Sequence, residues 1–258
     1  MCILSIVIPD YKDPLLEKTI NSLLENSELG DELEIIAVMD GCWLTFPPIQ
    51  DKRVKYLHLG KNRGMRDAIN AGVSICKGEF IMRADEHQIF GKGYDRILTE
   101  TCQPNWIVMP RRYFLDPVKW EVMDIPYVDT MELEIRGGKF CGVDRKRVND
   151  VMIEESHAMQ GSCWLMPRKW WDEVIGELQT EGYGPLYGDS HEMVFKTWQK
   201  GGKLMVNKLT WHAHKYRSFS RTHNDGTPEN PANKEAGWAY SISIWKPYYD
   251  ELRLKWSI

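Results

Sequence analysis

With 258 residues, 43% of them apolar, the chain has material for one large domain with a full core, and a net charge of −4 neither requires nor forbids an anionic partner. The six cysteines, Cys2, Cys42, Cys76, Cys102, Cys141 and Cys163, form no Cys-x-x-Cys pair, which argues against structural zinc and a disulfide framework and for reduced thiols in a cytoplasmic protein. No stretch approaches the ~18 apolar residues of a membrane span, while eleven tryptophans exceed what such a core needs, so some are expected on a binding surface.

Residues 3–8 form a β-rich run ended by Pro9. Residues 14–26 place Leu15, Leu16, Ile20, Leu23 and Leu24 on one helical face. A second strand, 33–39, breaks at Asp40-Gly41, and a third, 54–59, is followed by the turn Gly60-Lys61-Asn62-Arg63-Gly64. Residues 65–75 are helical, and a fourth strand, 79–84, runs into Asp85-Glu86-His87. Short apolar runs alternating with helices predict a mostly parallel sheet covered on both faces. In such sheets ligands sit at the carboxyl ends of the strands, where both Asp40 and Asp85 lie.

After Gly91 a helix and a strand at 106–109 continue the pattern. Residues 110–155, with Gly137-Gly138 and a basic stretch at 136–147, read as an inserted lobe. A buried strand is predicted at 158–166, helices at 168–178 and 192–200, the latter opened by Gly188-Asp189-Ser190, and strands at 204–208 and 210–214. Residues 218–235, rich in Ser, Asn, Pro and Gly, read as a long mobile loop, and the aromatic tail 238–256 as a helix packing back.

Asp85 and His87, two residues apart where a strand stops, can hold one divalent ion from the same side. The cluster Trp211-His212-Ala213-His214 can supply a further ligand. In an extended chain His212 and His214 share a face, so spacing alone leaves both open. Oxygen and imidazole ligands suit Mn²⁺, and a diphosphate would complete an octahedron.

The order Asn62-Arg63-Gly64-Met65-Arg66-Asp67-Ala68, then Lys77-Gly78-Glu79, then Asp85-Glu86-His87 resembles the donor-binding half of nucleotide-sugar glycosyltransferases of the GT-A fold. The opening Ser5-Ile6-Val7-Ile8-Pro9-Asp10-Tyr11 looks like family 2 of that class. The Asp-x-His form is similar to the catalytic domain of polypeptide N-acetylgalactosaminyltransferases. So are Gly188-Asp189-Ser190-His191-Glu192, Phe195-Lys196-Thr197-Trp198-Gln199-Lys200-Gly201-Gly202, Ala213-His214-Lys215-Tyr216-Arg217 and Met159-Gln160-Gly161-Ser162.

The resemblance implies an α/β GT-A-type fold, a mostly parallel, helix-flanked sheet with an inserted acceptor-side lobe. It divides one catalytic domain, without an anchor or stable membrane association, into a nucleotide-sugar half (1–100), an acceptor half (101–217) and a mobile loop with a terminal helix (218–258). It implies Mn²⁺ or Mg²⁺ on Asp85, His87 and His214, and a UDP-sugar donor met by Pro9, Tyr11, Asp40, Arg66, Asp85 and Arg217. Asp189 and Glu192 become the acid–base candidates, and Arg217 meets the diphosphate from a closing loop. Glu192 also suits the first turn of a helix.

The acceptor hydroxyl is left open among a protein Ser/Thr, a glycan or small metabolite, and a hydroxymethylated base in DNA. The last draws on Arg111-Arg112, Arg136, Lys139, Arg145, Lys146 and Arg147, with Trp106 and Trp120 for stacking. The rivals are a non-catalytic sugar-nucleotide or carbohydrate-binding protein and a metal-dependent nucleotide-sugar hydrolase or pyrophosphorylase.

Overall fold

The computed structural model describes residues 1–145, 149–184, 188–215 and 231–256. A ten-stranded sheet carries the molecule, in the order β10-β12-β6-β11-β4-β1-β2-β3 with β5 and β7 added at its side. Strands β1 (Leu4–Asp10), β2 (Leu33–Asp40), β3 (Val54–Leu59) and β4 (Phe80–Ala84) are mutually parallel. Every residue of β1 and β2 is buried, as expected of strands covered on both faces.

Helix α1 (Leu16–Asn26) lays Leu16, Ile20 and Leu23 on the face made by Ile6, Ile8, Met82 and Ala84. Helix α2 (Met65–Ser74) lays Ala68, Ile69 and Val73 on the opposite face, against Val7, Ile36 and Val38. Gly72 lets that helix come close, since a Cβ there would lie 2.4 Å from Val7 Cγ1.

Beyond β4 the parallel order is interrupted. Strand β11 (Cys163–Pro167) runs antiparallel to both β4 and β6 (Trp106–Asp116), while β12 (Lys203–His214) returns parallel to β6. Three short strands, β5 (Gln88–Phe90), β7 (Glu121–Val122) and β10 (Ile153–Glu155), pair antiparallel at the margins. The inserted lobe holds a separate hairpin of β8 (Met131–Arg136) and β9 (Lys139–Asp144). Helix α3 (Tyr94–Thr101) follows β5, and α5 (Asp189–Gln199) precedes β12.

Several predicted elements are redrawn. The strand expected at 158–166 begins only at Cys163, because the preceding residues cross the end of the sheet and Ser162 offers its carbonyl to the Asp85 N–H. The helix expected at 168–178 is a single turn, α4 (Arg168–Trp170), that widens into a π-turn at Trp171–Ile175 and stops at Gly176, where φ is +62°. The strands expected at 204–208 and 210–214 are one twelve-residue strand, β12, whose register to β6 shifts between Asn207 and Trp211. Of the expected loop at 218–235, residues 218–230 lie outside the described residues, and helix α6 (Pro231–Trp256) already covers 231–235. Among the described residues no helix is long and apolar enough to cross a membrane.

Candidate active site

Strand β4 delivers Asp85 to the carboxyl edge of the sheet. There its N–H donates to Ser162 O at 3.0 Å and to Gln88 Oε1 at 3.2 Å. The chain then turns back as β5, antiparallel to the end of β12, with Gln88 opposite His214 and Phe90 opposite His212. This pairing brings together side chains 129 positions apart. His214 Nε2 stands 3.1 Å from Asp85 Oδ2 and 3.1 Å from His87 Nε2, and the three donor atoms lie within 4.8 Å of one another. One carboxylate and two imidazoles gathered this closely have the donor chemistry of a divalent-ion site.

The electrostatics favour ligation. Burial alone would raise the Asp85 pKa, but Arg83 first, then His214 and His87, hold its carboxylate well below the usual range. Burial pushes His214 down, with Asp85 opposing, so its ring is predominantly neutral near pH 7. His212 is not part of that three-residue group. It is fully buried, its ring stacks on Phe90 at 6.2 Å, its Nε2 faces Ser162 Oγ at 3.4 Å, and burial pushes its pKa well down.

A model of glycosyl transferase family 2 matches residues 5–175. The chain belongs to glycosyl transferase family 2. Over 187 residues it is 25% identical to a putative polypeptide N-acetylgalactosaminyltransferase 10 of Caenorhabditis briggsae, an alignment covering 65% of this chain and 27% of that protein. The crystal structure of GalNAc-T7 with UDP, GalNAc and Mn²⁺ superposes with a TM-score of 0.75 at 17% identity, over 96% of this chain and 50% of the other. That likeness shows the fold, which is of the GT-A type. The chain thus spans about a quarter of the length of the curated relative it matches.

The remaining expected residues divide. Pro9 is buried in β1 beside Val38, and Tyr11 is half-buried just past the end of that strand, with Lys12 Nζ 4.9 Å from its ring. Asp40 ends β2 as expected, but its two oxygens accept from the N–H groups of Arg63 and Gly64 at 2.6 and 2.7 Å, tying it to the loop that opens α2. Burial pushes its pKa up to about 6.

Arg66 and Glu192 need correction. Arg66 is fully buried, and its two terminal nitrogens donate to Glu192 Oε2 at 2.9 and 2.6 Å while its guanidinium lies 4.2 Å from the Tyr183 ring centre. Glu192 also pairs with Lys196 at 2.7 Å. Together the two side chains clamp α2 to α5. Arg217 lies outside the described residues.

Asp189 opens α5 and is 6% exposed. It is linked to the Asp-x-His corner by Arg83, which the sequence reading missed. Arg83 Nη2 donates to Asp85 Oδ1 at 2.5 Å, and Nη1 stands 3.7 Å from Asp189 Oδ2. Gly161 covers this pair, and a Cβ there would lie 3.5 Å from Arg83 Nη1 and 3.9 Å from Asp189 Oδ2. A lone arginine inside the apolar run Phe80-Ile81-Met82-Arg83-Ala84 was the available signal.

The basic face proposed for nucleic acid is largely neutralised. Arg111 forms a two-pronged pair with Asp129 at 2.7 and 2.9 Å, Arg136 pairs with Glu134 at 2.8 Å, and Arg145 pairs with Glu132. Lys139 Nζ lies 4.1 Å from the Trp238 ring, Lys18 Nζ lies 5.1 Å from that of Trp120, and Trp106 packs partly buried against the core. Lys146 and Arg147 fall outside the described residues.

Proposed function

We propose that this enzyme moves a sugar from a UDP-sugar to an acceptor hydroxyl, with Asp85, His87 and His214 holding Mn²⁺ or Mg²⁺. The observation that carries this reading is the convergence of one carboxylate and two imidazoles, from β4, its following turn and β12, at the carboxyl edge of the sheet. The relative named for N-acetylgalactosamine transfer and the GalNAc-T7 structure named with UDP and Mn²⁺ support the donor and the ion.

When bound, such an ion supplies Lewis-acid stabilisation of the departing diphosphate, ~4 kcal/mol per unit-charge pair at ~4 Å and an effective dielectric near 20, before desolvation. The protein's own side chains do the remaining work. Arg83 engages Asp85 Oδ1 and leaves Oδ2 for the ion. Asp189, beside the same guanidinium, is assigned to the acceptor hydroxyl, either receiving its proton or orienting it. Pro9, Tyr11 and Asp40 border the nucleoside end, and Arg217 is assigned to the diphosphate. The paired arginines of the lobe favour a protein or glycan hydroxyl over DNA. Six free cysteines suit a cytoplasmic, reducing setting.

The test is a panel of UDP-sugars with Mn²⁺, followed by mass spectrometry of Ser/Thr peptides and glycans. A mass increment of one sugar, lost with a chelator and in Asp85→Ala, supports the proposal. UDP release without any glycosylated product would indicate a hydrolase, and absence of donor binding with or without metal would refute the assignment.

A further inference from the structure

Resting on the metal-centre reading above, we propose that Asp13 is a positioning residue that fixes the tautomer and ring orientation of His87 from behind. Asp13 lies in the loop between β1 and α1, where its own N–H donates to Asp10 Oδ1 at 3.2 Å. Its Oδ1 accepts the Leu15 N–H at 2.9 Å, an Asx turn that leads into α1. Its Oδ2 faces His87 Nδ1 at 3.2 Å, with Asp13 4% and His87 2% exposed.

A carboxylate can only accept, so the proton of the neutral imidazole is drawn to Nδ1. The lone pair is then left on Nε2, the atom that faces His214 Nε2 at 3.1 Å. With the other tautomer, an N–H would point into the centre and block ligation. Glu86 Oε2 is also near Nδ1 but at 3.7 Å, beyond hydrogen-bond reach. Asp13, Glu86 and His87 form a second group of possible ligands that shares the same ring. The hydrogen bond to Asp13 occupies the nitrogen such a site would need.

Helix α1 holds the neighbouring backbone by a separate set of bonds. Thr19 Oγ1 accepts the Gln88 N–H at 2.9 Å, and Ser22 Oγ accepts the Phe90 N–H at 3.1 Å. The orientation of the ring and the position of the strand are therefore separable by mutation. Carboxylates placed behind metal-binding histidines contribute about 10- to 100-fold in metal affinity.

The decisive variant is Asp13→Asn in the full chain. Its amide oxygen can keep the Asx turn, which leaves an N–H₂ donor facing His87 Nδ1 and drives the proton to Nε2. Long-range ¹⁵N–¹H correlation spectra of the metal-free proteins are expected to show His87 protonated on Nδ1 in wild type and on Nε2 in Asp13→Asn. Calorimetric titration is expected to give one Mn²⁺ per wild-type chain and about 10- to 100-fold weaker binding in the variant. Thr19→Ala is expected to keep the wild-type tautomer.

Equal Mn²⁺ affinity and an unchanged tautomer in Asp13→Asn would overturn the role of Asp13 while leaving the metal centre standing. Two ions per wild-type chain would overturn it as well, by placing a cation on the Asp13 side of the ring. No Mn²⁺ binding by wild type would remove the metal centre itself, and the tautomer spectra would still report whether Asp13 holds His87. Should Asp13→Asn fail to fold, an Nε2–H tautomer in the wild-type chain overturns the proposal without it.

Discussion

Replacing Glu192 by Gln is expected to act on stability and not on donor binding. Arg66 and Glu192 are both buried, with side-chain exposures of 0% and 2%, and their closest approach is 2.6 Å. Removing one partner of such a pair costs about 3–5 kcal/mol, because the other charge stays buried without compensation. For a chain of this size 1 kcal/mol corresponds to about 2–4 °C, so Glu192→Gln should lower Tm by roughly 6–20 °C. Arg66→Met should cost less, since Lys196 still stands 2.7 Å from Glu192. The double variant Arg66→Met/Glu192→Leu should recover much of the Glu192→Gln loss, because an apolar replacement of a buried pair is often neutral or better. Differential scanning calorimetry with donor KM measured on the surviving fold separates the possibilities. An unchanged Tm together with a donor KM raised tenfold would refute the reasoning and return Arg66 to the donor site.

Three further outcomes are expected. Arg83→Met should lower kcat by at least about tenfold, or ~1.4 kcal/mol, by releasing Asp189, while Mn²⁺ affinity does not fall because Asp85 loses its competing cation; single-turnover rates and a Mn²⁺ titration check both parts. His214→Ala should abolish the Mn²⁺-dependent rise in Tm, whereas His212→Ala should lower Tm and preserve that rise, since His212 is a packed core residue. Asp40 has a folded pKa of about 6, raised from the ordinary 3.8 chiefly by burial, so its contribution to stability is full below the ordinary value and is lost as pH rises through about 6. The Tm of wild type relative to Asp40→Asn should accordingly increase from pH 7 to pH 5, and parallel Tm curves would count against that assignment.

Much of the parallel half of the molecule was legible because its signals are local. Buried apolar runs, helical spacing at Leu16, Ile20 and Leu23, and strand-end aspartates at positions 40 and 85 depend only on neighbours in the chain. The Asp-x-His corner was legible for the same reason: two ligands two residues apart need no tertiary structure to be seen together. The choice of His214 over His212 could not be read from alternation, because both side chains point to the same side of an extended strand. It is decided by the register of β12 on β5, which sets His214 opposite Gln88, next to the Asp85–His87 turn, and His212 opposite Phe90, two residues further along.

The partners of the charged side chains were likewise invisible in the chain. Arg66 and Glu192 are separated by 126 positions, and Asp13 and His87 by 74. The sequence by itself determined which segments bury apolar surface and which residue types stand at the strand ends. Only the tertiary structure decided whether each charge meets solvent, a ligand or another charge. Coulomb and hydrogen-bond energies depend on distances through space, which the linear order of residues does not contain.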